Sequence, residues 1–374
     1  MTKRSVNALD AKGKRVLVRV DFNVPLAGDG SVADDTRIRA AVPTIDALRR
    51  QGAAVALCSH LGRPKGVDRT LSLAPVAERA TTVLGIPVPL ADDCVGPDVT
   101  ERVLAMQPGT VLMLENVRFH PEEEQNEPAF AKSLGAGFDA YVNDAFGAAH
   151  RAHASTEGVA HVLPAYAGLL LEREVRVLGA LLDAPARPFV AVIGGAKVSS
   201  KIDVLRSLVA KADVLAIGGG MANTFLAATG TDIKASLSEP DRESDARAIL
   251  SAAKARGVEV LLPVDLRWAG DRILDIGEET ERQFAARIAV AQTVFWNGPM
   301  GRFEEADFAH GTEAIARAMA DSAAITIVGG GESVQAVDQL GLADQMTHVS
   351  TGGGAALELI EGKKLPGVEA IPDA

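Results

Sequence analysis

Short, unbroken apolar runs alternate with helical patterns along the whole chain, and few architectures accommodate that rhythm. In the first half the runs are Arg15–Val20, Ala54–Cys58, Val111–Leu114 and Ala140–Val142, with helical spacing at Val42–Arg50, Ala74–Leu84, Val99–Met106 and Pro128–Leu134. In the second half they are Phe189–Ile193, Val214–Ile217, Val258–Leu262, Thr293–Trp296, Ile325–Val328 and His348–Ser350. Helical patterns again intervene, at Ser199–Ala210, Asp241–Arg256, Thr280–Ala289, Thr312–Ala320 and Ser333–Leu340. A run without a polar face makes a strand covered on both sides. Strands separated by helices pair in parallel through right-handed crossovers.

Each half is therefore expected to form a doubly wound, Rossmann-like parallel sheet in an α/β domain. Two domains suit 374 residues, because single cores stop growing near ~250–300 residues. Between them lies AGLLLEREVRVLGALLD, where Leu170, Leu171, Val175, Leu178 and Leu182 recur at helical spacing. Gly168 can open this helix, and Pro185 and Pro188 close it. We expect a domain over 1–167, a connecting hinge helix over 168–183 and a second domain over 184–356.

A net charge of −11 argues against a nucleic-acid partner. Cys58 and Cys94 lack metal or redox spacing and are expected to be reduced thiols. No apolar run approaches the ~18 residues of a membrane span. The opening MTKRSVNALD has no apolar core of a secretory signal, so a cytoplasmic location is expected.

In doubly wound folds ligands bind beyond the carboxyl ends of the strands. The first-half strands run into DFN (Asp21 to Asn23), SHLGRP (Ser59 to Pro64), ENVRFH (Glu115 to His120) and NDAFGAAHRAH (Asn143 to His153). Arg37 joins them from a DDTRIRA loop. Any one of these arginines could be a surface residue paired with an acid. Arg37, Arg63, Arg118 and Arg151 together with His60, all at one sheet edge, point instead to a small, multiply charged anion, which guanidinium forks grip. His120, His150 and His153 are weaker candidates, and a metal there is not expected because neighbouring arginines repel a cation.

The second-half strands run into GGAKVSSK, GGGMANTF, WNGPMGRFE, GGGES and STGGGAA. One glycine pair alone would be a tight turn. Four ends with consecutive glycines, each followed by a helical pattern, favour nucleotide phosphates, which backbone N–H groups and helix N-termini hold. Neither a GxxxxGK[ST] nor a GxGxxG pattern is present. Met221, Phe225 and Leu226 are expected in the core rather than against a base.

Together RVDFNVP, SHLGRP, LENVRFH, NDAFGAAHRAH, GGAKVSSKI, GGGMANTF, WNGPMGRFE and HVSTGGGA resemble the phosphoglycerate kinase family over essentially the whole chain. The resemblance implies reversible phosphoryl transfer from 1,3-bisphosphoglycerate to ADP, giving 3-phosphoglycerate and ATP in glycolysis, by a monomeric, hinge-bending transferase. It implies an acid-substrate site of Asp21, Asn23, Arg37, His60, Arg63, Arg118 and Arg151. On the nucleotide side it implies Gly195, Lys197, Lys201, Gly219, Asn297, Pro299, Glu304, Gly330, Gly331, Glu332 and Ser333, with Glu304 on the ribose hydroxyls. Mg²⁺ accompanies ADP or ATP, with Glu332 as its candidate ligand, and the tail 357–374 returns to the first domain.

The chain departs from the family pattern in three places. Glu332 replaces the usual aspartate, the stretch from Pro263 to Ile276 is shorter than usual beside the base pocket, and Ala356 stands where a serine is common. A carboxylate nucleophile is ionised at neutral pH, so no general base is needed. Arg37 and Lys201 are the expected catalytic charges. The alternatives are a kinase acting on a hydroxyl, a two-lobed metabolite-binding protein, or an impaired paralogue.

Overall fold

A computed structural model of the chain describes residues 2–374. Contacts divide it into two units, one of residues 1–176 with 364–374 and one of residues 177–363. The boundary falls inside the Leu169–Asp183 helix.

The first unit is built on five parallel strands: β1 (Arg15–Arg19), β2 (Ala54–Cys58), β3 (Val111–Met113), β4 (Ala140–Asn143) and β5 (Ala165–Ala167), in the order β3-β2-β1-β4-β5. Side chains alternate across this sheet. Val16 and Val18 join the core on one face with Val55, Leu57 and Val142. Leu17 joins the other with Ala56, Cys58 and Tyr141. Arg19, two residues beyond Leu17, projects to that second face and is 1% exposed.

The second unit carries β6 (Phe189–Ile193), β7 (Val214–Ile217) and β8 (Glu259–Leu261), then a short antiparallel hairpin of β9 (Leu266–Ala269) and β10 (Arg272–Ile276), then β11 (Thr293–Asn297), β12 (Ile325–Gly329) and β13 (His348–Val349). Its parallel sheet runs β13-β12-β11-β6-β7-β8 around a core that includes Val190, Val192, Val294, Trp296 and Val328. Met221, Phe225 and Leu226 are buried, as expected.

Both sheets are the doubly wound α/β class that the alternation implies. In each, strand order reverses beside the unit's first strand: between β1 and β4, and between β6 and β11. The loops leaving those neighbours diverge and open a crevice at the carboxyl edge.

Three local expectations change. Arg37 is not on a loop but in the first turn of a helix, Thr36–Arg50, that runs through Pro43. Placing the helix start at Val42 would put Pro43 in the first turn, where proline's missing N–H costs nothing; the observed helix carries it internally instead. Strands β5, β9 and β10 have no counterpart in the sequence-based set. The returning tail begins at Lys364 rather than Leu357, because residues 357–360 belong to the Gly353–Ile360 helix of the second unit. Ser207 Oγ donates to Ile360 O at 2.6 Å and holds that helix end. The tail then reaches the first unit, where Asn143 Nδ2 donates to Gly367 O and Arg4 N to Pro372 O. Among the described residues no helix is long and apolar enough to cross a membrane.

Candidate active site

The carboxyl edge of the first sheet gathers a cationic cluster. Arg37 Nη1 donates to Asp21 Oδ2 at 2.8 Å. Its place in the first turn of the Thr36–Arg50 helix sets a cation at the positive end of the helix dipole, which is unfavourable without an anion. Asp21 supplies one anion, and the side chain remains 37% exposed. Asn23 Oδ1 accepts from Gly62 N at 2.9 Å, tying the loop after β1 to the loop after β2. Arg118 donates from Nη1 to Gly62 O at 2.6 Å. Its Nε lies 3.2 Å from Glu124 Oε1 without hydrogen-bond alignment. Arg151 Nε donates to His150 Nε2 at 3.2 Å. Arg63 is exposed.

His60 reports how closely these cations approach. Its pKa is pushed well below the ordinary histidine value, first by burial and then by Arg19, Arg118, Arg151 and Arg37. The imidazole is therefore neutral. Arg19 Nη2 lies 3.1 Å from His60 Nδ1; a guanidinium only donates, so Nδ1 accepts and the proton sits on Nε2. Burial, then Arg118, Arg19, Arg151 and His150, depress His153 to about 4. This neighbourhood disfavours further positive charge and suits an anion.

Arg19 is the residue that motif reasoning missed. Its Nε donates to Ser155 Oγ at 2.8 Å, and Ser155 donates from N and Oγ to the fully buried Glu123. The buried Arg19–Ser155–Glu123 chain supports His60 from behind. The available signal was an arginine ending the apolar run RVLVRV, on the same face as Leu17.

In the second unit the glycine turns meet between β6 and β11. Gly195 N donates to Pro299 O and Gly219 N to Met300 O, both at 2.9 Å. Gly219 has φ +66°, and a Cβ there would lie 2.6 Å from Gly195 N; only glycine permits this approach. Gly330, at φ +92°, precedes the Gly331–Gln339 helix, whose first turn holds Glu332. Ser333 is buried and its Oγ accepts from Gly298 N at 2.5 Å. Asn297 is also buried, donating to Gly329 O at 2.8 Å.

A cavity of about 520 Å³ opens here, of a size suited to a small cofactor. Of the expected residues, Gly195, Gly219, Pro299, Glu304 and Glu332 line it. Lys197 is exposed on the loop after β6 but is not part of the lining, and neither are Lys201, Asn297, Gly330, Gly331 and Ser333. Lys201 folds back, donating from Nζ to Gly194 O at 2.7 Å and Asn297 O at 3.3 Å. Burial lowers its pKa to about 8, against a smaller opposing effect of Glu332. The wall also takes apolar side chains from Ala235, Leu237, Ile273 and Leu274, with Arg272 beside them and Arg302 lining it as well. Arg272, Ile273 and Leu274 belong to β10, in the shortened stretch expected to border a base.

Known proteins match the chain over nearly its whole length. A family model described as phosphoglycerate kinase matches residues 6–363. The curated phosphoglycerate kinase of Moorella thermoacetica is 55% identical, with both chains covered in full. That of Chloroflexus aurantiacus is 53% identical, again with full coverage. Among solved structures, phosphoglycerate kinase from Coxiella burnetii matches with TM-score 0.90 at 41% identity, covering 98% of each chain. The enzyme from Pyrococcus horikoshii matches with TM-score 0.84 at 30% identity, also over 98% of each chain.

Proposed function

The chain belongs to the phosphoglycerate kinase family, and from that premise we propose that it transfers a phosphoryl group from 1,3-bisphosphoglycerate to ADP, reversibly. The observation that carries the assignment of sites is the environment of His60, a buried neutral imidazole facing Arg37, Arg118 and Arg151 at one sheet edge. A multiply charged phosphoglycerate supplies the negative charge this edge lacks. Asp21 orients Arg37, Asn23 ties the loops, and His60 donates from Nε2 to a substrate oxygen. Arg63, Arg118 and Arg151 hold the remote phosphate.

The nucleotide takes the cavity of the second unit, its base against Leu237 and Ile273 and its ribose hydroxyls on Glu304. Its phosphates face Gly195, Gly219 and the N-terminus of the Gly331–Gln339 helix. Lys197, exposed on the loop after β6, pairs with them, and Lys201 leaves its carbonyl partners to do so. Magnesium suits this place: it is held typically by one or two carboxylates plus substrate phosphates, and Glu332 offers one exposed carboxylate on the cavity wall. When bound it neutralises phosphate charge.

No general base appears in this scheme, because the attacking group is an ionised carboxylate or phosphate oxygen. Rate comes from in-line positioning and from Arg37 and Lys201 neutralising the passing phosphoryl group. Water must be excluded meanwhile, and we assign the hinge for that closure to the Leu169–Asp183 helix. A cytoplasmic monomer acting on small metabolites completes the proposal. The deciding experiment is ATP formation from 1,3-bisphosphoglycerate and ADP, with GDP and magnesium-free arms. Strict dependence on the acyl phosphate and on Mg²⁺ is expected. Loss of ADP-dependent turnover would favour an impaired paralogue.

A further inference from the structure

The histidine that closes the ENVRFH motif is engaged elsewhere than with the anion-site arginines. His120 Nε2 lies 2.7 Å from Asp93 Oδ1, and the next residue after Asp93 is Cys94. One ligand atom from each of Asp93, Cys94 and His120 lies within 4.8 Å of the others. Among the described residues no other grouping of three His, Cys, Asp or Glu side chains comes this close. The expectation that arginines would keep a metal from this histidine does not account for these neighbours.

The backbone holds the three in place. The segment before Cys94 is pinned to β3, with Ala91 N donating to Met113 O at 2.8 Å and Met113 N to Pro89 O at 2.9 Å. Cys94 N donates to Asp93 Oδ1 at 2.6 Å. The His120 ring packs on Phe130, with centroids 5.3 Å apart. Cys94 is buried, while the His120 and Asp93 side chains are 26% and 47% exposed. The sulfur thus lies beneath two ligands that solvent and ions can reach.

We propose that Asp93, Cys94 and His120 form a site for one zinc-class divalent ion, separate from the magnesium of the nucleotide. Thiolate and imidazole select zinc-class ions over Mg²⁺ and Ca²⁺, which prefer oxygen. One carboxylate and one thiolate neutralise a dication, and three protein ligands leave the fourth tetrahedral position to water. Bonds of ~2.0–2.3 Å place tetrahedral nitrogen, oxygen and sulfur ligand atoms roughly 3.3–3.6 Å apart, so the 2.7 Å His120–Asp93 pair widens by about 0.6–0.9 Å and pairs within 4.8 Å close by about 1.5 Å at most. On binding, the Cys94 S–H bond breaks, its proton passes to solvent and the sulfur bonds the ion. His120 ligates through Nε2 with its proton on Nδ1.

The test is titration of the metal-free, full-length protein with Co²⁺ as spectroscopic probe and with Zn²⁺ in equilibrium dialysis. One equivalent of Co²⁺ is expected to give a thiolate-to-cobalt charge-transfer band. C94S should abolish the band. H120A and D93N should each weaken Zn²⁺ binding at least about tenfold, which keeps the test decisive should C94S fold poorly. E332Q should leave the band intact, separating this site from the nucleotide metal. Absence of the band in the unaltered protein, or Zn²⁺ binding equally tight in H120A and D93N, would overturn the proposal.

Discussion

Arg37 and Lys201 show two ways in which a single charge is kept ready at a cost. Arg37 sits against the helix dipole with Asp21 as its ion-pair partner. In the role proposed for it, on the migrating phosphoryl group, it should matter in the transition state rather than in nucleotide binding. Arg37→Ala is expected to lower kcat by about 10²–10³-fold. The dissociation constant for Mg·ADP, from calorimetry, should stay nearly unchanged; a near-normal kcat would mean another arginine does this work. Lys201 is half-buried among carbonyls with a pKa of about 8. Lys201→Ala should be severely impaired, and Lys201→Arg should recover only part of the rate, because a planar fork cannot replace a compact ammonium between Gly194 and Asn297. A fully active Arg variant in steady-state assays would show that diffuse charge suffices. These cations were legible as candidates, Lys201 from the glycine-rich stretch after β6 and Arg37 from its DDTRIRA stretch. Arg19, Ser155 and Glu123 were not, because their roles come from sheet faces and from segments far apart in sequence.

At the scale of elements, strands announced themselves wherever both faces are covered. Sequence-based limits for β1, β2, β6 and β7 fall within one residue of those observed. The short edge strand β5 and the hairpin β9–β10 carry no such run; β9 and β10 include Arg267, Arg272 and Asp275. The Leu169–Asp183 helix was visible as a periodic pattern, but what fastens its start was not. Asp144 Oδ1, just beyond β4, accepts from Leu170 N at 2.9 Å and Leu171 N at 3.3 Å. Burial raises the pKa of Asp144 to about 7, despite these bonds. Between pH ~4 and ~7 the folded protein then holds a proton that the unfolded chain has lost. Stability from this group falls as pH rises through that window, and above pH 7 the full cost of burying the charge is present. Asp144→Asn keeps an acceptor without the charge. Its urea midpoint should match the unaltered protein near pH 4.5 and exceed it at pH 8, on the order of 1–2 kcal/mol. Equal midpoints at both pH values would refute buried-charge strain at this helix start.

At the scale of the molecule, the proposed acid and nucleotide sites fall in separate units, so neither ligand alone should have much preference for a closed state. Reacting atoms must nevertheless come within ~3–3.5 Å of each other. Small-angle scattering is expected to show a clear fall in radius of gyration with 3-phosphoglycerate plus Mg·nucleotide, and little change with either alone. Full compaction with one ligand, or none with both, would sink the hinge assignment and leave the chemistry untouched. The returning tail has a consequence in time as well as space. Residues 177–363 are contiguous, whereas the first unit needs 364–374, with Asn143 on Gly367 and Arg4 on Pro372. Chains emerge from the ribosome at ~5–20 residues per second, and domains fold as units while they emerge. The unit begun first is therefore finished last: every residue of the half proposed to bind nucleotide has been joined to the growing chain before the last piece of its partner is added.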